Sequence, residues 1–137
     1  MSASSRIQVV LIDDNDLTRS ALRLALPLEL TEVVGEASSG QTGLEICLRY
    51  KPDLVFLDIV MPGMGGLDVL PAIKDALPLT EVLMVTASND RATIESAVKG
   101  GASGFIIKPF RAGTVEDAVK KSIANLLRKR ADQSNRS

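Results

Sequence analysis

The segment Val9-Val10-Leu11-Ile12-Asp13-Asp14 is a short apolar run that ends in two carboxylates. The pattern recurs further along the chain, where short apolar runs end at Asp58, Thr86 and Lys108. Parallel strands of one sheet present their carboxyl ends at a common edge, and open α/β sheets bind their ligands at that edge. If these runs are such strands, three acids, one hydroxyl and one ammonium share a single pocket.

Outward from that segment, the chain alternates five times between a short β-branched run and an amphipathic stretch. This alternation favours an α/β fold, a doubly wound five-stranded parallel sheet with helices on both faces. The runs are apolar almost throughout, as expected when both faces of a sheet are covered. We predict strands at residues 7–12, 32–37, 54–57, 81–85 and 104–107. We predict helices at residues 15–26, 41–50, 66–76, 91–100 and 112–130.

Length and charge point to one globular unit. A chain of 137 residues fits a single domain, and its net charge of −1 gives it little attraction for nucleic acid or anionic lipid. Four bases stand against one acid in residues 128–137. We therefore divide the chain into a domain at 1–130 and a basic tail at 131–137 that we expect to be disordered.

The absence of histidine narrows the chemistry. It excludes Ser-His-Asp and Cys-His catalysis, histidine zinc sites and imidazole acid–base chemistry. Cys47 is the single cysteine, so no disulfide forms within the chain, and a reducing compartment suits it. We expect no targeting leader and no membrane span, and hence a cytoplasmic protein.

The three acids are the most informative part of the set. Asp13, Asp14 and Asp58 in one pocket would carry three negative charges, of which Lys108 balances one. A ligand set of carboxylates without histidine or cysteine indicates Mg²⁺, with Mn²⁺ as an alternative, rather than zinc. A carboxylate beside such a cation can act as the nucleophile toward a phosphoryl group, with Lys108 and the Thr86 hydroxyl each binding one phosphoryl oxygen.

Asp58 is our candidate for that nucleophile. It ends an apolar strand in the middle of the sheet, and the following turn, Ile59-Val60-Met61-Pro62-Gly63, would expose its side chain. Asp13 and Asp14 are adjacent, so we expect one to point into the metal site and the other to support it.

Four segments together resemble the receiver domain of response regulators in two-component signalling. They read VLIDD at 10–14, LDIVMPGM at 57–64, VTA at 85–87 and GASGFIIKPF at 101–110, and the resemblance covers about residues 6–128. It implies a flavodoxin-like fold with strand order 2-1-3-4-5 and a cis bond between Lys108 and Pro109.

The resemblance also implies roles for individual residues. The position of Asp58 accepts phosphate from a sensor histidine kinase or a histidine phosphotransfer protein. The positions of Asp13 and Asp14 arrange Mg²⁺ together with Asp58, and the backbone carbonyl of Val60 is a further ligand. Self-catalysed phosphoryl transfer and dephosphorylation are expected, without turnover of an external substrate.

A switch is implied as well. Thr86 and Phe105 correspond to two residues that move together on phosphorylation. A charged phosphoryl acceptor would draw the Thr86 hydroxyl inward, and Phe105 would fill the vacated space. The surface formed by the helix at 91–100, the strand at 104–107 and the helix at 112–130 would then signal to a downstream effector protein. Phosphorylation-dependent pairing of two copies is an alternative, and no direct contact with nucleic acid or membrane is implied.

Other readings remain alternatives at this point. We expect a stand-alone receiver, and the receiver fragment of a longer DNA-binding regulator is the first alternative. A phosphorylation-independent interaction module would tolerate loss of Asp58 or Lys108, yet both are present. An aspartate-nucleophile phosphatase places a second acid two residues after its nucleophile, where this chain has Val60. A flavodoxin-like electron carrier would bind phosphate in its first loop, which Asp13 and Asp14 would repel.

Overall fold

The computed structural model describes residues 6–136. Strands and helices alternate along this part of the chain, as the sequence predicts. The strands are β1 (Ile7–Ile12), β2 (Thr31–Ala37), β3 (Leu54–Asp58), β4 (Glu81–Thr86) and β5 (Gly104–Ile107). The helices are α1 (Asp16–Ala25), α2 (Gly40–Tyr50), α3 (Gly66–Ala76), α4 (Arg91–Gly100) and α5 (Ala112–Arg136).

The five strands form one parallel sheet in the order β2-β1-β3-β4-β5. This confirms the predicted α/β fold class and strand order. β3 lies in the centre, and all five of its residues are buried. The order changes direction between β1 and β3, which is the place where doubly wound sheets open a crevice for ligands.

Helices cover both faces of the sheet, as predicted. On one face, α1 and α5 bury apolar side chains against β1, β3 and β4, among them Leu22, Val115 and Val119. On the other face, α2, α3 and α4 contribute Cys47, Leu70 and Ala97, each of them fully buried. Because both faces are packed, the polar residues of the central strands emerge only at the strand ends.

Local signals at the helix ends explain their boundaries. Asn15 begins α1 by accepting a hydrogen bond from the backbone N–H of Thr18, and Asp90 begins α4 by accepting from two backbone N–H groups. Gly101 ends α4 at a φ of 102°, a left-handed conformation in which glycine is favoured. Asp90 and Gly101 therefore set the start and the end of α4.

The carboxyl-terminal helix differs from the sequence prediction. We predicted a helix over 112–130 and a disordered basic tail over 131–137, whereas α5 continues to Arg136. Residues 114–136 contain neither glycine nor proline, so nothing in the chain stops the helix. The positive charge also lies earlier than that division implied, at residues 128–130, since residues 131–137 carry one acid and one base. Ser137 lies outside the described residues.

Candidate functional site

The carboxyl ends of four strands bring the predicted polar residues together. Asp13 follows β1, Asp58 and Thr86 are the last residues of β3 and β4, and Lys108 follows β5. The register places Leu57 beside Ile12 and Thr86 beside Ile107, so the chain positions just beyond these pairs are also neighbours. A cavity of about 360 Å³ opens at this edge, and it is lined by Asp14, Asn15, Asp58, Val60, Thr86, Ala87, Ser88 and Lys108.

Three carboxylates converge at this edge of the sheet. Asp13, Asp14 and Asp58 each offer an oxygen, and these oxygens lie within 4.8 Å of one another. Asp13 and Asp58 are buried, while Asp14 is exposed. The Nζ atom of Lys108 lies 3.1 Å from Oδ2 of Asp13 and 3.5 Å from Oδ1 of Asp58. One ammonium thus faces two buried carboxylates, with a third at the rim.

The charges in this cluster do not balance. Burial and the charge of Asp13 raise the pKa of Asp58 from 3.8 to about 6, against the opposing effect of Lys108. Oδ1 of Asp13 accepts a hydrogen bond from the backbone N–H of Asn15 at 2.8 Å. Oδ2 of Asp13 is buried without any hydrogen-bond donor in the described residues, although it is ion-paired with Lys108. Two buried carboxylates that share one ammonium carry excess negative charge, which a bound cation would neutralise.

These residues fit a hard divalent cation. Carboxylate oxygens are the ligands that Mg²⁺ and Mn²⁺ prefer, and Asp13, Asp14 and Asp58 each offer one. The cation would supply charge neutralisation at the phosphoryl group. The acidic cluster predicted from the sequence is therefore present and could bind a metal.

Thr86 and Phe105 lie on the neighbouring strands β4 and β5. The Thr86 hydroxyl is buried, donates a hydrogen bond to the Ser88 carbonyl at 3.1 Å and accepts one from the Ser88 N–H at 3.0 Å. Phe105 is half-buried and packs against the core under α4. A cavity of about 130 Å³ lies between β5 and α5, and Phe105 is one of its lining residues. The Thr86 hydroxyl thus makes both of its hydrogen bonds with Ser88 in the loop after β4.

Val60 lies in the turn that connects β3 to α3. Its side chain is exposed and lines the mouth of the cavity. The Ile59 carbonyl accepts a hydrogen bond from the N–H of Gly66 at 2.9 Å, which fixes the turn against the start of α3. The peptide bond between Lys108 and Pro109 is cis, as the resemblance implied.

Two contributors to the site escaped the sequence analysis. Asn15 holds Asp13 through its backbone N–H while its own side chain begins α1. The pattern Asn15-Asp16 before an apolar helix is a recognisable helix start and could have identified it. Arg19 donates a hydrogen bond to the backbone carbonyl of Asp13 from the first turns of α1. No sequence signal identifies that contact, because it depends on where α1 packs.

Comparison with known proteins gives a consistent picture. Residues 9–120 match the family model described as the response regulator receiver domain. The chain belongs to this family. It is 38% identical over 112 residues to the chemotaxis protein CheY of Halobacterium salinarum, an alignment that covers 82% of this chain and 92% of that protein. It is also 37% identical to the transcriptional regulatory protein LnrK of Bacillus subtilis. That alignment covers 82% of this chain and 52% of LnrK.

Solved structures agree with this assignment. The receiver domain of the regulator NarL from Mycobacterium tuberculosis superimposes with a TM-score of 0.80 at 36% identity, covering 85% of this chain and 95% of that domain. As a receiver domain, the protein is a component of two-component phosphorelays, and the phosphatase, electron-carrier and phosphorylation-independent alternatives are not favoured. The family typically uses Mg²⁺, interacts with kinases and effectors, and generally does not turn over a substrate. Within residues 6–136, none of the helices has the length and apolar character needed to cross a bilayer.

Proposed function

We propose that Asp58 is the phosphoacceptor of this receiver. The observation that carries the proposal is the convergence of Asp58 with Asp13, Asp14 and Lys108 at one sheet edge. In the proposed reaction, a carboxylate oxygen of Asp58 forms a bond to phosphorus while the bond between phosphorus and a phosphohistidine nitrogen of the donor breaks. The histidine leaves with the electron pair, and the product is an aspartyl phosphate.

Each neighbouring group has a distinct task in this proposal. Asp13, Asp14, Asp58 and the carbonyl of Val60 would hold Mg²⁺, with Mn²⁺ as an alternative. Lys108 already lies within ion-pair distance of Asp58, and its ammonium would bind one phosphoryl oxygen. Loss of the phosphoryl group would follow by hydrolysis at the same site, so the chemistry is self-catalysed and no external substrate is turned over.

The test is the covalent product itself. Incubation with a small acyl-phosphate donor and Mg²⁺ should add the mass of one phosphoryl group to the intact protein, and Asp58→Asn should abolish the addition. Asp75→Asn is the matched control, since Asp75 is an exposed acid on α3 outside the cavity. No added mass on the wild type, or undiminished addition to Asp58→Asn, would refute the assignment.

We extend the proposal to the switch formed by Thr86 and Phe105. A phosphoryl oxygen on Asp58 is a charged acceptor, and such hydrogen bonds are roughly twice as strong as neutral ones. The Thr86 hydroxyl would therefore stop donating to the Ser88 carbonyl and donate to the phosphoryl group instead. This change would release the loop after β4, and Phe105 would move into the space that Thr86 vacates. Thr86→Ala should still be phosphorylated but should lose the backbone chemical-shift changes on α4 and β5. Thr86→Ser should retain them, and unaltered shift changes in Thr86→Ala would contradict the switch.

The surroundings of the cavity support protein partners on two sides. Beside Lys108, an apolar groove of about 440 Å³ is lined by Leu17, Ala21 and Phe110, among others. A macromolecular donor, a sensor histidine kinase or a histidine phosphotransfer protein, would reach Asp58 across this groove. The α4–β5–α5 surface exposes Val98 and Ile107, and it would bind the downstream effector. Phosphorylation-dependent pairing of two copies through this surface is an alternative, and a cytoplasmic location stays a prediction.

A further inference from the structure

Arg19 connects the metal site to the rest of the fold from outside the cavity. Its side chain is 14% exposed, although it projects from the first turns of α1. The guanidinium donates to three different acceptors, which are the backbone carbonyl of Asp13, a carboxylate oxygen of Asp16 and, at 3.2 Å, a carboxylate oxygen of Glu36. One side chain therefore joins the end of β1, the start of α1 and the end of β2.

The contact with Asp13 is the one that bears on the cavity. The N–H of Asp13 donates to the Ala37 carbonyl at 3.0 Å, and its carbonyl accepts from Arg19. Both polar groups of the Asp13 backbone are thus held by neighbours, and Oδ1 is held by Asn15. The remaining oxygen, Oδ2, makes no hydrogen bond within the described residues and is ion-paired with Lys108 at 3.1 Å. The direction of this oxygen depends on the backbone that Arg19 fixes.

We propose that Arg19 is a positioning residue for the divalent cation, acting through the backbone of Asp13. Arg19 holds the turn between β1 and α1 in the conformation that keeps Asp13 and Asp14 directed at the cation. The inference rests on the metal site of the proposed function. Residues that orient metal ligands in this way typically change metal affinity by about 10–100-fold when they are replaced.

Charge and geometry predict opposite effects for this residue, which makes the proposal testable. Removal of a positive charge near a cation site strengthens cation binding by Coulomb's law. Loss of the positioning contact weakens it. If a variant without the guanidinium binds Mg²⁺ more weakly, the lost contact with the Asp13 backbone is therefore the cause, and the lost charge is not.

Arg23 provides a matched control on the same helix. It pairs with the other carboxylate oxygen of Glu36 at 2.8 Å and donates to Ser20, and it makes no contact with Asp13. Arg23→Gln removes the same charge from the same neighbourhood without touching the turn after β1. It should leave Mg²⁺ affinity unchanged or slightly stronger.

The experiment measures Mg²⁺ binding to the unphosphorylated full chain by isothermal titration calorimetry. Arg19→Gln should weaken binding about 10-fold, and Arg19→Lys, which keeps the charge but loses the planar three-acceptor geometry, should fall between Arg19→Gln and the wild type. In phosphorylation assays, the Mg²⁺ concentration for half-maximal rate should rise by the same factor, while the rate at saturating Mg²⁺ stays near that of the wild type.

The outcomes separate the inference from the proposed function. Wild-type protein that fails to bind Mg²⁺ would overturn the metal site and the inference together. Wild-type binding with unchanged affinity in Arg19→Gln and Arg19→Lys would overturn the inference alone. A lower melting temperature with unchanged Mg²⁺ affinity would show that Arg19 is merely structural. If Arg19→Gln fails to fold, Arg19→Lys decides the question by the same affinity measurement.

Discussion

Asp58 occupies an environment that opposes its own charge. The carboxyl group is buried beside Asp13, and the single ammonium of Lys108 is shared between the two. The pKa of Asp58 is raised from 3.8 to about 6 by burial first and by the charge of Asp13 second. Ionisation at neutral pH therefore costs folding free energy. A bound cation would lower that cost by compensating the negative charge of Asp58.

A stability measurement follows from this environment. In metal-free buffer at neutral pH, Asp58→Asn should raise the free energy of unfolding by about 1–3 kcal/mol, because a pKa unit corresponds to about 1.4 kcal/mol. Since the folded pKa lies above the unfolded one, the contribution of Asp58 to wild-type stability falls as pH rises from about 4 through about 6. The advantage of Asp58→Asn should thus be full above pH 6 and should shrink toward pH 4. Urea unfolding across this pH range measures it.

Metal addition provides the complementary check on the same pair of proteins. A ligand that binds only the folded state stabilises it by mass action. Mg²⁺ should raise the melting temperature of the wild type and should raise that of Asp58→Asn much less. Equal stabilisation of both proteins, or an Asp58→Asn protein less stable than the wild type in metal-free buffer, would contradict this view of the cluster.

The element that presents Asp58 is the turn between β3 and α3, and Gly66 closes it. A Cβ at Gly66 would lie 2.1 Å from the Asp58 carbonyl oxygen and 2.9 Å from the Ile59 Cα. Both are backbone atoms and neither can move aside easily. The start of α3 is therefore seated directly against the residue that would receive the phosphoryl group.

Gly66→Ala should consequently disturb both stability and chemistry. We expect it to lower the free energy of unfolding by about 2 kcal/mol or more, in the range of steric damage to a packed interior, and to slow phosphorylation. Gly113→Ala is the control, since a Cβ there meets nothing within 4 Å and alanine is favoured in a helix. It should be neutral or stabilising by up to about 1 kcal/mol. Denaturant unfolding and intact-mass time courses test both, and a fully stable Gly66→Ala would contradict the close contact.

The elements also show what sequence reasoning can reach. Each predicted strand begins and ends within one residue of the observed one, because a strand covered on both faces is marked by an uninterrupted apolar run. The predicted end of α5 was wrong because residues 132–136 are polar without being strong helix breakers. Their polar composition is typical of a disordered terminus, and no local sequence signal pointed to a helix instead.

At the scale of the molecule, the end of the sheet opposite the cavity anchors α5. Glu81 at the start of β4 is buried, accepts a hydrogen bond from Asn125 at 2.9 Å and pairs with Lys129. Nearby, Arg130 pairs with Asp53. Burial would raise the pKa of Glu81, but hydrogen bonds from Lys129 and Asn125 outweigh it and lower the pKa below 4.5. These contacts join residues more than 40 positions apart, which is why the sequence did not reveal them.

Lys129→Met should therefore destabilise the fold. Glu81 would stay buried with less compensation, and we expect a loss of about 1–3 kcal/mol at neutral pH. Lys120→Met is the control, because its pairing with Glu116 is exposed and worth about 0.5 kcal/mol or less. Since the pKa of Glu81 is lowered in the folded protein, the stabilisation is present above pH 4.5 and is lost as pH falls through the folded pKa. Urea unfolding at neutral and acidic pH tests this, and a Lys129→Met protein as stable as Lys120→Met would contradict it.

The candidate site also has a part that the sequence predicts and a part that it does not. The residue types and their placement at strand ends were visible in the sequence, since chain order and strand length determine which side chains reach the carboxyl edge. The supporting contacts from Asn15 and Arg19 could not be seen in the sequence, because they depend on how α1 packs against the ends of β1 and β2. Prediction from sequence thus reached the groups proposed for the chemistry and missed those that orient them.

The most direct measurement is a crystal structure of the protein with Mg²⁺ and beryllofluoride, a mimic of the phosphoryl group. We predict the mimic on one carboxylate oxygen of Asp58, with Mg²⁺ bound by Asp13, Asp14, the other oxygen of Asp58 and the Val60 carbonyl. Lys108 and the Thr86 hydroxyl should each contact the mimic, and Thr86 should have left the Ser88 carbonyl. A mimic attached to another residue, or a Lys108 too distant to touch it, would contradict the account.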